Sequence, residues 1–463
     1  MENSEKTRKA LLLAERVALL AMVAYGAILI YYLYGGPFDY KGFIRVRMPS
    51  PDKPILILTV VTILFTTLNV INKNKASWFS TGSPAFASLI VFLVYLAIVA
   101  NFIDNHKSNV GFLICIGDRF AGEGLKDKNV PVLPNSNGYD GAFYYRLAMD
   151  PLLKDKSATP RVDIPAYRQQ RILYPLTAKI MSFGNDKLIP FMLMMVNLVC
   201  LATLAWVCAR IAINAGLWAG WGMFTPFYAG FAISVYRDLA EPMGALLLIS
   251  SLLAIRKEKY PTAAMLLALA ALARETTILV GVAIAIAWAI TPIIGKFFSK
   301  TERFPKVPLY VGLAPLATYA IWQLAIYSMW GIFSAQHGGH NLGVPFMGVY
   351  NEIKGYLAGY QIHYRTYDLF LIAGIFATGL IVTINLCSKK LMTHERIAFF
   401  IYFCFATMFT WAIWEAKEGY TRVLSEFYVL SWFVIIVSQS KFRTALGIYW
   451  IGAFFWMSYA WLT

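Results

Sequence analysis

Residues 82–103 read GSPAFASLIVFLVYLAIVANFI, a run that contains no charged side chain. A helix needs about 20 predominantly apolar residues to cross the hydrocarbon core of a bilayer. This run is long enough and apolar enough to do so. Similar blocks recur on both sides of it along the chain, so we expect a protein whose solvent is largely lipid.

The composition agrees with that expectation. Hydrophobic residues make up 59% of the 463 positions and charged residues only 14%, whereas soluble domains contain about 45–50% and about 25%. The net charge is +16, but no basic arm or aromatic RNA-binding motif accompanies it, and Lys and Arg lie mostly between apolar blocks. We therefore predict the lipid bilayer, and no nucleic acid, as a partner.

The spacing of the apolar blocks predicts an all-α, polytopic transmembrane helix bundle of about thirteen spans. Lys and Arg are roughly twice as frequent in the short segments that this count places inside as in those outside. That bias predicts an internal N-terminus and an external C-terminus. We expect the membrane to be the cytoplasmic membrane of a prokaryote. The predicted spans are 10–34, 54–71, 82–103, 188–209, 217–235, 239–255, 262–273, 276–295, 307–329, 367–388, 396–414, 422–439 and 443–462.

Residues 104–187 form a predicted external loop that is too polar to span a membrane. Loops of this length are usually functional or disordered. Aromatic and apolar residues follow helical spacing at 143–148 and 172–180. This spacing favours short amphipathic helices lying on the membrane.

The segment 262–273 is the second departure from a plain bundle. Twelve residues of helix cover only about 18 Å, less than the roughly 30 Å of the hydrocarbon core. We predict a half-span that turns at Arg274 and Glu275, with Glu275 holding Arg274 in its rotamer. Such a break is tolerated only inside protein or beside a water-filled cavity. The alternative is one long tilted helix with an internal Arg–Glu pair.

Two motifs in the external loop carry the chemistry. The first, GYDGAFYYRLAMDP, covers 138–151, and the second, YRQQRILYPL, covers 167–176. Asp140 on a glycine-flanked turn is a common helix N-cap. Arg168 and Arg171 lie three positions apart beside the membrane, which favours an anionic partner such as phosphate. Contact with lipid headgroups is the alternative.

These motifs resemble the GT-C superfamily of membrane glycosyltransferases, in the subgroup with Gly-Tyr-Asp-Gly and Arg-x-x-Arg-Ile-Leu-Tyr-Pro-Leu. Residues 237–242 and 272–276 also resemble recurrent elements of that superfamily. The resemblance implies transfer of a sugar, with inversion, from a polyprenyl-phosphate donor to a glycan, lipid or protein hydroxyl at the external face. It implies three regions: a two-span addition at 1–81, a GT-C-like catalytic core at 82–300 and a C-terminal transmembrane region at 301–463.

The resemblance also implies roles for individual residues. Asp140 is the expected catalytic base, with Asp104 and Asp118 as rivals, since a base must accept the acceptor proton and cations must assist the departing phosphate. An ionisable residue inside an apolar stretch is a functional hypothesis by default. The expected phosphate-binding residues are Arg168, Arg171, Arg274 and Arg422; the expected substrate-orienting residues are Tyr139, Tyr144, Asp150, Asp238, Glu241 and Glu275.

No cofactor follows firmly from the sequence, and a divalent cation stays open. His337 and His340 are a weak metal signal, because no carboxylate or thiolate lies near them in the sequence. Asp150, Asp163, Asp238 and Glu241 could also bind a metal. Other functions also stay open: a transporter or lipid flippase, an oligosaccharide polymerase, or a structural membrane subunit.

Overall fold

A computed structural model describes residues 2–41, 45–72, 80–122, 130–155, 161–297, 306–337, 341–359 and 366–462. Helices dominate these residues, which confirms the predicted all-α class. The strands form two small pairs, with β1 (Phe38–Lys41) antiparallel to β2 (Arg45–Met48) and β3 (Ile116–Gly117) parallel to β4 (Val132–Leu133). Phe38 lies opposite Met48, and Ile116 lies beside Val132.

The described residues contain nineteen α-helices. In chain order they are α1 (Glu2–Gly35), α2 (Asp52–Asn72), α3 (Pro84–Asn105), α4 (Gly141–Met149), α5 (Pro165–Gln169), α6 (Leu173–Met181), α7 (Ile189–Asn214), α8 (Ala229–Tyr236), α9 (Glu241–Arg256), α10 (Tyr260–Ala273), α11 (Ile278–Phe297), α12 (Leu309–Trp330), α13 (Met347–Leu357), α14 (Thr366–Asn385), α15 (Thr393–Thr407), α16 (Trp411–Trp414), α17 (Lys417–Val423), α18 (Ser425–Val437) and α19 (Arg443–Leu462).

Within the described residues, six helices are long and apolar enough to cross a membrane: α1, α2, α3, α7, α12 and α14. Helices α17 and α18, bent by 51° relative to each other, make a seventh if they count as one span. Large apolar side chains are exposed on these helices, for example Leu20, Ile321 and Phe370. Such surfaces suit lipid. The remaining crossings of the thirteen stay a prediction.

Two predicted spans are wrong as single helices. The segment 217–235 contains a 3-10 turn at Ala219–Met223, and α8 begins only at Ala229. Pro226 lies between them and disfavours a continuous helix. The segment 396–414 is interrupted because α15 ends at Thr407 and Phe409 then bridges to Leu342. Here hydrogen bonds to a distant segment outweigh the local helical preference.

The predicted external loop contains the expected short helices, but one of them does not lie on a surface. All nine residues of α4 are buried, so its predicted position on the membrane is wrong. It packs against α6 and α7. Helix α6 agrees better with the prediction, since Ile180 is 66% exposed while Tyr174 on the same helix is fully buried.

The predicted break at Arg274 is confirmed. Helix α10 ends at Ala273, Arg274 is extended, a 3-10 turn covers Glu275–Thr277, and α11 starts at Ile278. One continuous tilted helix is therefore wrong. Helices α10 and α11 separate at this break, next to the helices of the predicted external loop.

The largest core cluster extends over most of the long helices. It includes Tyr95 on α3, Phe231 on α8 and Trp432 on α18, which are fully buried. A second cluster, around Tyr144, Tyr145 and Tyr174, joins the loop helices α4 and α6 to α7. This second cluster fixes the loop on the bundle. It thereby holds the charged residues of the loop against the break between α10 and α11.

Candidate functional site

Five chain segments bring charged side chains together at one end of the bundle. They are the start of α4, the α5 region, the start of α9, the break between α10 and α11, and the bend between α17 and α18. Four arginines and five carboxylates from these segments form ion pairs. Arg168, Arg274 and Arg422 are connected through Asp140, Asp163, Glu241 and Glu426, and Arg171 forms a separate pair with Glu275.

Asp140 lies at the N-cap position of α4, but its side chain does not cap that helix. Oδ1 accepts a hydrogen bond of 2.9 Å from Arg168 Nη1, and Oδ2 accepts one of 2.6 Å from Arg422 Nη1. The capping alternative is therefore wrong for this side chain. Burial raises the pKa of Asp140, but the charges of Arg422 and Arg168 lower it by more, so the pKa lies well below its usual range.

The glycines around Asp140 are required by packing. Gly138 has φ +68, a conformation that favours glycine. A Cβ atom at Gly141 would lie 2.2 Å from the backbone oxygen of Arg237. The start of α4 can therefore approach the turn before α9 only because residue 141 has no side chain, and this approach brings Asp140 near Glu241.

Arg168 is fixed by contacts on three sides. Its Nε and Nη2 atoms donate to Asp163 at 2.9 Å and 2.7 Å, while Nη1 donates to Asp140. Its guanidinium lies over the ring of Phe143, 4.2 Å from the centroid. We call Asp163, Arg168 and Asp140 the loop arm. Bidentate pairing fixes the plane of a guanidinium, so Arg168 orients Asp140.

Arg274 is the most deeply buried cation of the set. Its side chain is 2% exposed, and it lies between Glu241, 2.7 Å from Nη1, and Glu426, 2.6 Å from Nε. We call these three residues the buried triad. The Nη1–Glu241 contact is a close approach of charges without an aligned hydrogen bond.

The prediction that Glu275 holds Arg274 in its rotamer is wrong. Glu275 pairs instead with Arg171, whose Nε and Nη2 donate to it at 2.7 Å and 2.5 Å. Arg171 Nη1 donates to the hydroxyl of Tyr144 at 3.3 Å. Successive residues on an extended backbone point in different directions, which explains why Arg274 and Glu275 find separate partners.

Arg422 connects the loop arm to the buried triad. Besides its bond to Asp140, its Nε lies 3.6 Å from Glu241, too far for a hydrogen bond. Among the described residues Nε has no hydrogen-bond partner. The guanidinium lies over the ring of Tyr139, 5.2 Å from the centroid. Tyr139 and Tyr144 therefore each contact an arginine of the site, and their substrate-orienting role stays a prediction.

A cavity of about 340 Å³ lies next to these ion pairs. One half of its wall is charged and the other half is aromatic and apolar. Asp140, Arg168 and Glu426 do not line it. The charged half consists of Arg171, Glu241, Arg274, Glu275 and Arg422; the other half includes Tyr167, Tyr319, Leu342, Phe405, Phe409 and Ile413.

The remaining predicted carboxylates lie outside this arrangement. Asp150 contacts Arg146 at 3.7 Å and accepts the backbone N–H of Asp155. Asp238 is fully buried, and neither carboxylate oxygen has a hydrogen-bond partner among the described residues. The rival base Asp104 accepts a hydrogen bond from Tyr32. The other rival, Asp118, accepts the backbone N–H groups of Asn135 and Ser136, which lower its pKa.

Glu426 was missed from the sequence, although it sits in an otherwise apolar segment. An acidic residue inside a predicted span is itself a functional signal, so this criterion would have found it. Thr276 joins the same group, since its hydroxyl lies 3.1 Å from Glu426 and 3.2 Å from Arg274 Nε.

No group of three or more His, Cys, Asp or Glu side chains within the described ranges could hold a metal ion. The predicted His337–His340 pair is not tested, because His340 and the side chain of His337 lie outside what the structure describes. The divalent cation stays a prediction.

Comparison of the chain with protein-family models, with curated proteins and with solved structures gives no match. The residues of the candidate site are therefore the basis for assigning a function.

Proposed function

We propose that this chain is a GT-C-like membrane glycosyltransferase that moves a sugar from a polyprenyl-phosphate donor to an acceptor hydroxyl at the external face, with inversion. The observation that carries the proposal is the pairing of Asp140, an ionised carboxylate, with Arg168 and with Arg422, because Arg422 also lines the cavity together with Arg171 and Arg274. A base beside cations is the combination that this reaction requires.

The chemistry follows from these positions. The acceptor oxygen forms a bond to the anomeric carbon while the bond from that carbon to the phosphate oxygen breaks. The leaving polyprenyl phosphate takes the electron pair, and Asp140 accepts the acceptor proton. Guanidinium groups stabilise the developing phosphate charge, because charge-assisted hydrogen bonds are strong where water is scarce.

The four predicted phosphate-binding arginines have different capacities to do this. Arg274 and Arg422 line the cavity, and each has a buried nitrogen that makes no hydrogen bond among the described residues, so each keeps donor capacity for an acceptor that enters the cavity. Arg171 also lines the cavity, but its three donor nitrogens already contact Glu275 and Tyr144. Arg168 does not line it. We therefore assign the phosphate to Arg274 and Arg422, and assign orientation of Asp140 to Arg168.

The aromatic and apolar half of the cavity suits the rest of the donor. Sugar rings stack on aromatic side chains such as Tyr167 and Tyr319, and isoprenoid chains prefer apolar walls such as Phe405 and Phe409. The site also draws on the region after residue 300, since Arg422 and Glu426 belong to it. The catalytic unit therefore extends beyond the predicted core at 82–300.

The proposal includes the full predicted topology: thirteen crossings, N-terminus inside, C-terminus outside, and the site external. Asn137 is exposed in the loop beside Asp140. In a variant without the five native cysteines, Asn137→Cys should react with a membrane-impermeant maleimide in intact cells. Lys257→Cys, exposed at the predicted internal end of α9, is the control and should react only after lysis. The opposite pattern would invert the topology.

The enzymatic proposal is tested by donor turnover in nanodiscs. Purified protein is incubated with a panel of polyprenyl-phosphate sugars, and release of polyprenyl phosphate is measured with lipid acceptors or with water as acceptor. Asp140→Asn should lower turnover about 10²- to 10⁴-fold, the contribution of a positioned base. The exposed rival Asp118→Asn is the matched control and should retain turnover. Donor binding with no turnover of any donor would favour a transporter or flippase.

A further inference from the structure

The two arginines that hold Asp140 differ in what else holds them. Arg168 has a bidentate second partner in Asp163 and lies over Phe143, and it does not line the cavity. Arg422 lines the cavity, has a single hydrogen bond to Asp140 and has an Nε without a hydrogen-bond partner among the described residues. Arg422 is therefore the less constrained of the two.

We propose that an anionic phosphate group entering the cavity takes Arg422 away from Asp140, so that ligand binding itself releases the carboxylate to act as a base. This inference rests on the proposed function, because it assumes that Asp140 and the cavity serve the same reaction. In the ligand-free protein the Asp140–Arg422 ion pair acts as an internal competitor for the anion site.

The charges at the site require such an exchange. The ion pairs at the site contain five carboxylates and four arginines, so an incoming anion meets no uncompensated guanidinium among them. It must share or replace a carboxylate. The phosphodiester of a donor carries one negative charge and two free oxygens, as a carboxylate does, so it can share or replace a carboxylate where the existing pairing is weakest. A phosphate monoester, such as the leaving polyprenyl phosphate or farnesyl phosphate, carries more charge and a third free oxygen and should compete more strongly.

The pairing is weakest at Arg422. Arg274 is held by two buried carboxylates, and Arg171 is bidentate to Glu275 with Tyr144 as a further acceptor. Arg422 can turn its guanidinium toward the cavity by giving up one hydrogen bond. Its remaining contacts are the 3.6 Å approach of Nε to Glu241 and the position of the guanidinium over the ring of Tyr139, 5.2 Å from the centroid, and neither is a hydrogen bond.

Loss of Arg422 changes what Asp140 can do. With two guanidiniums bound, the carboxylate is a weak base, and efficient base catalysis needs greater proton affinity. With Arg168 alone it gains proton affinity but keeps its orientation, because Arg168 stays anchored to Asp163. The base would thus become effective only when the phosphate of a donor occupies the cavity.

Competition of this kind is reciprocal, which gives a test that does not depend on turnover. Farnesyl phosphate is titrated into the full-length protein in nanodiscs by calorimetry. Asp140→Asn removes the competing charge, so it should tighten binding about fivefold or more. The gain should disappear in the Arg422→Gln background. Asp118→Asn, which contacts no arginine of the site, should leave the affinity unchanged.

Asp140→Ser is the second variant should Asp140→Asn fold poorly, and it should show the same gain. Unchanged or weaker binding of farnesyl phosphate by the Asp140 variants would overturn the exchange. An equal increase in affinity in the Arg422→Gln background would overturn it as well. If the Asp140 substitutions tighten the binding of inorganic phosphate but not of farnesyl phosphate, the result supports the exchange and contradicts a polyprenyl donor. If the gain appears but no sugar is transferred, the exchange stands and the glycosyltransferase falls. If neither anion binds, both fall.

Discussion

The loop arm and the buried triad are built from the same chemical groups but in different surroundings. In the loop arm, the side chains of Asp163, Arg168 and Asp140 are 25%, 17% and 18% exposed. In the buried triad, no side chain is more than 2% exposed. Water can replace a lost partner in the first group and not in the second. The same arginine–carboxylate contact is therefore adjustable in the loop and rigid at the helix break.

This difference has a measurable size. Removing one partner of a buried ion pair costs about 3–5 kcal/mol, because the remaining charge has nowhere to go. Solvent-exposed pairs contribute about 0–1 kcal/mol, and the partly exposed pairs of the loop arm lie closer to that range than the buried triad does. The buried triad is thus expected to hold α9, the α10–α11 break and α18 together, while the loop arm is expected to serve the reaction.

The largest effect on stability is expected from Arg274→Met. It leaves Glu241 and Glu426 buried without their cation, so the free energy of unfolding should fall by about 3–5 kcal/mol. Thermal unfolding in nanodiscs, compared with Arg168→Met in the loop arm, measures the difference directly. Equal stability of the two variants would remove the distinction between the two groups.

A smaller effect is expected on the pH dependence of turnover. The acid limb of the pH profile of kcat/KM reports the pKa of the catalytic base in the free enzyme. The acid limb of the kcat profile reports its pKa in the enzyme–donor complex. Asp140 must be deprotonated to act as a base, so activity falls as the pH drops through its pKa, which Arg422 and Arg168 hold well below its usual range in the ligand-free protein. If the donor removes Arg422, the acid limb of kcat should lie at higher pH than that of kcat/KM.

The Arg422→Gln variant sharpens this prediction. Without the guanidinium the pKa of Asp140 should rise in the free enzyme, so the acid limb of kcat/KM should move up toward that of kcat. Turnover assays between pH 3 and 8 check both enzymes. Coincident limbs in the wild-type protein would contradict release of Asp140 by the ligand.

The smallest effect is expected from Asp163→Asn. The amide keeps one acceptor oxygen for Arg168 but loses the charge, and the pair is partly exposed, so the free energy of unfolding should change by less than about 1 kcal/mol. The same thermal unfolding experiment measures it. A loss as large as that of Arg274→Met would show that the loop arm is as rigid as the buried triad.

The sequence predicted those parts of the fold that depend on local composition. The helical class, the short helices of the loop and the break at Arg274 follow from the length and polarity of apolar runs. The failure at 396–414 has a different origin. The backbone of Thr407–Thr410 bonds to residues 341–346, which local propensity cannot indicate.

The sequence indicated most of the residues of the candidate site but not which of them form ion pairs with each other. Asp140 and the arginines were identified, but Glu275 was paired with its neighbour Arg274. In the structure Arg171 reaches Glu275 from 104 positions away, and Arg422 reaches Asp140 from 282 positions away. Contacts at such separations depend on how helices pack, so single-residue patterns could not assign them.

A structure of the protein with farnesyl phosphate bound tests the assignment of the cavity most directly. We expect the phosphate oxygens within hydrogen-bond distance of Arg274 Nη1 and the Arg422 guanidinium, and the isoprenoid chain against Phe405 and Phe409. Arg422 should no longer contact Asp140, while Arg168 should. A phosphate bound outside the cavity, or one bound there with the Asp140–Arg422 hydrogen bond intact, would contradict the proposed site or the exchange, respectively.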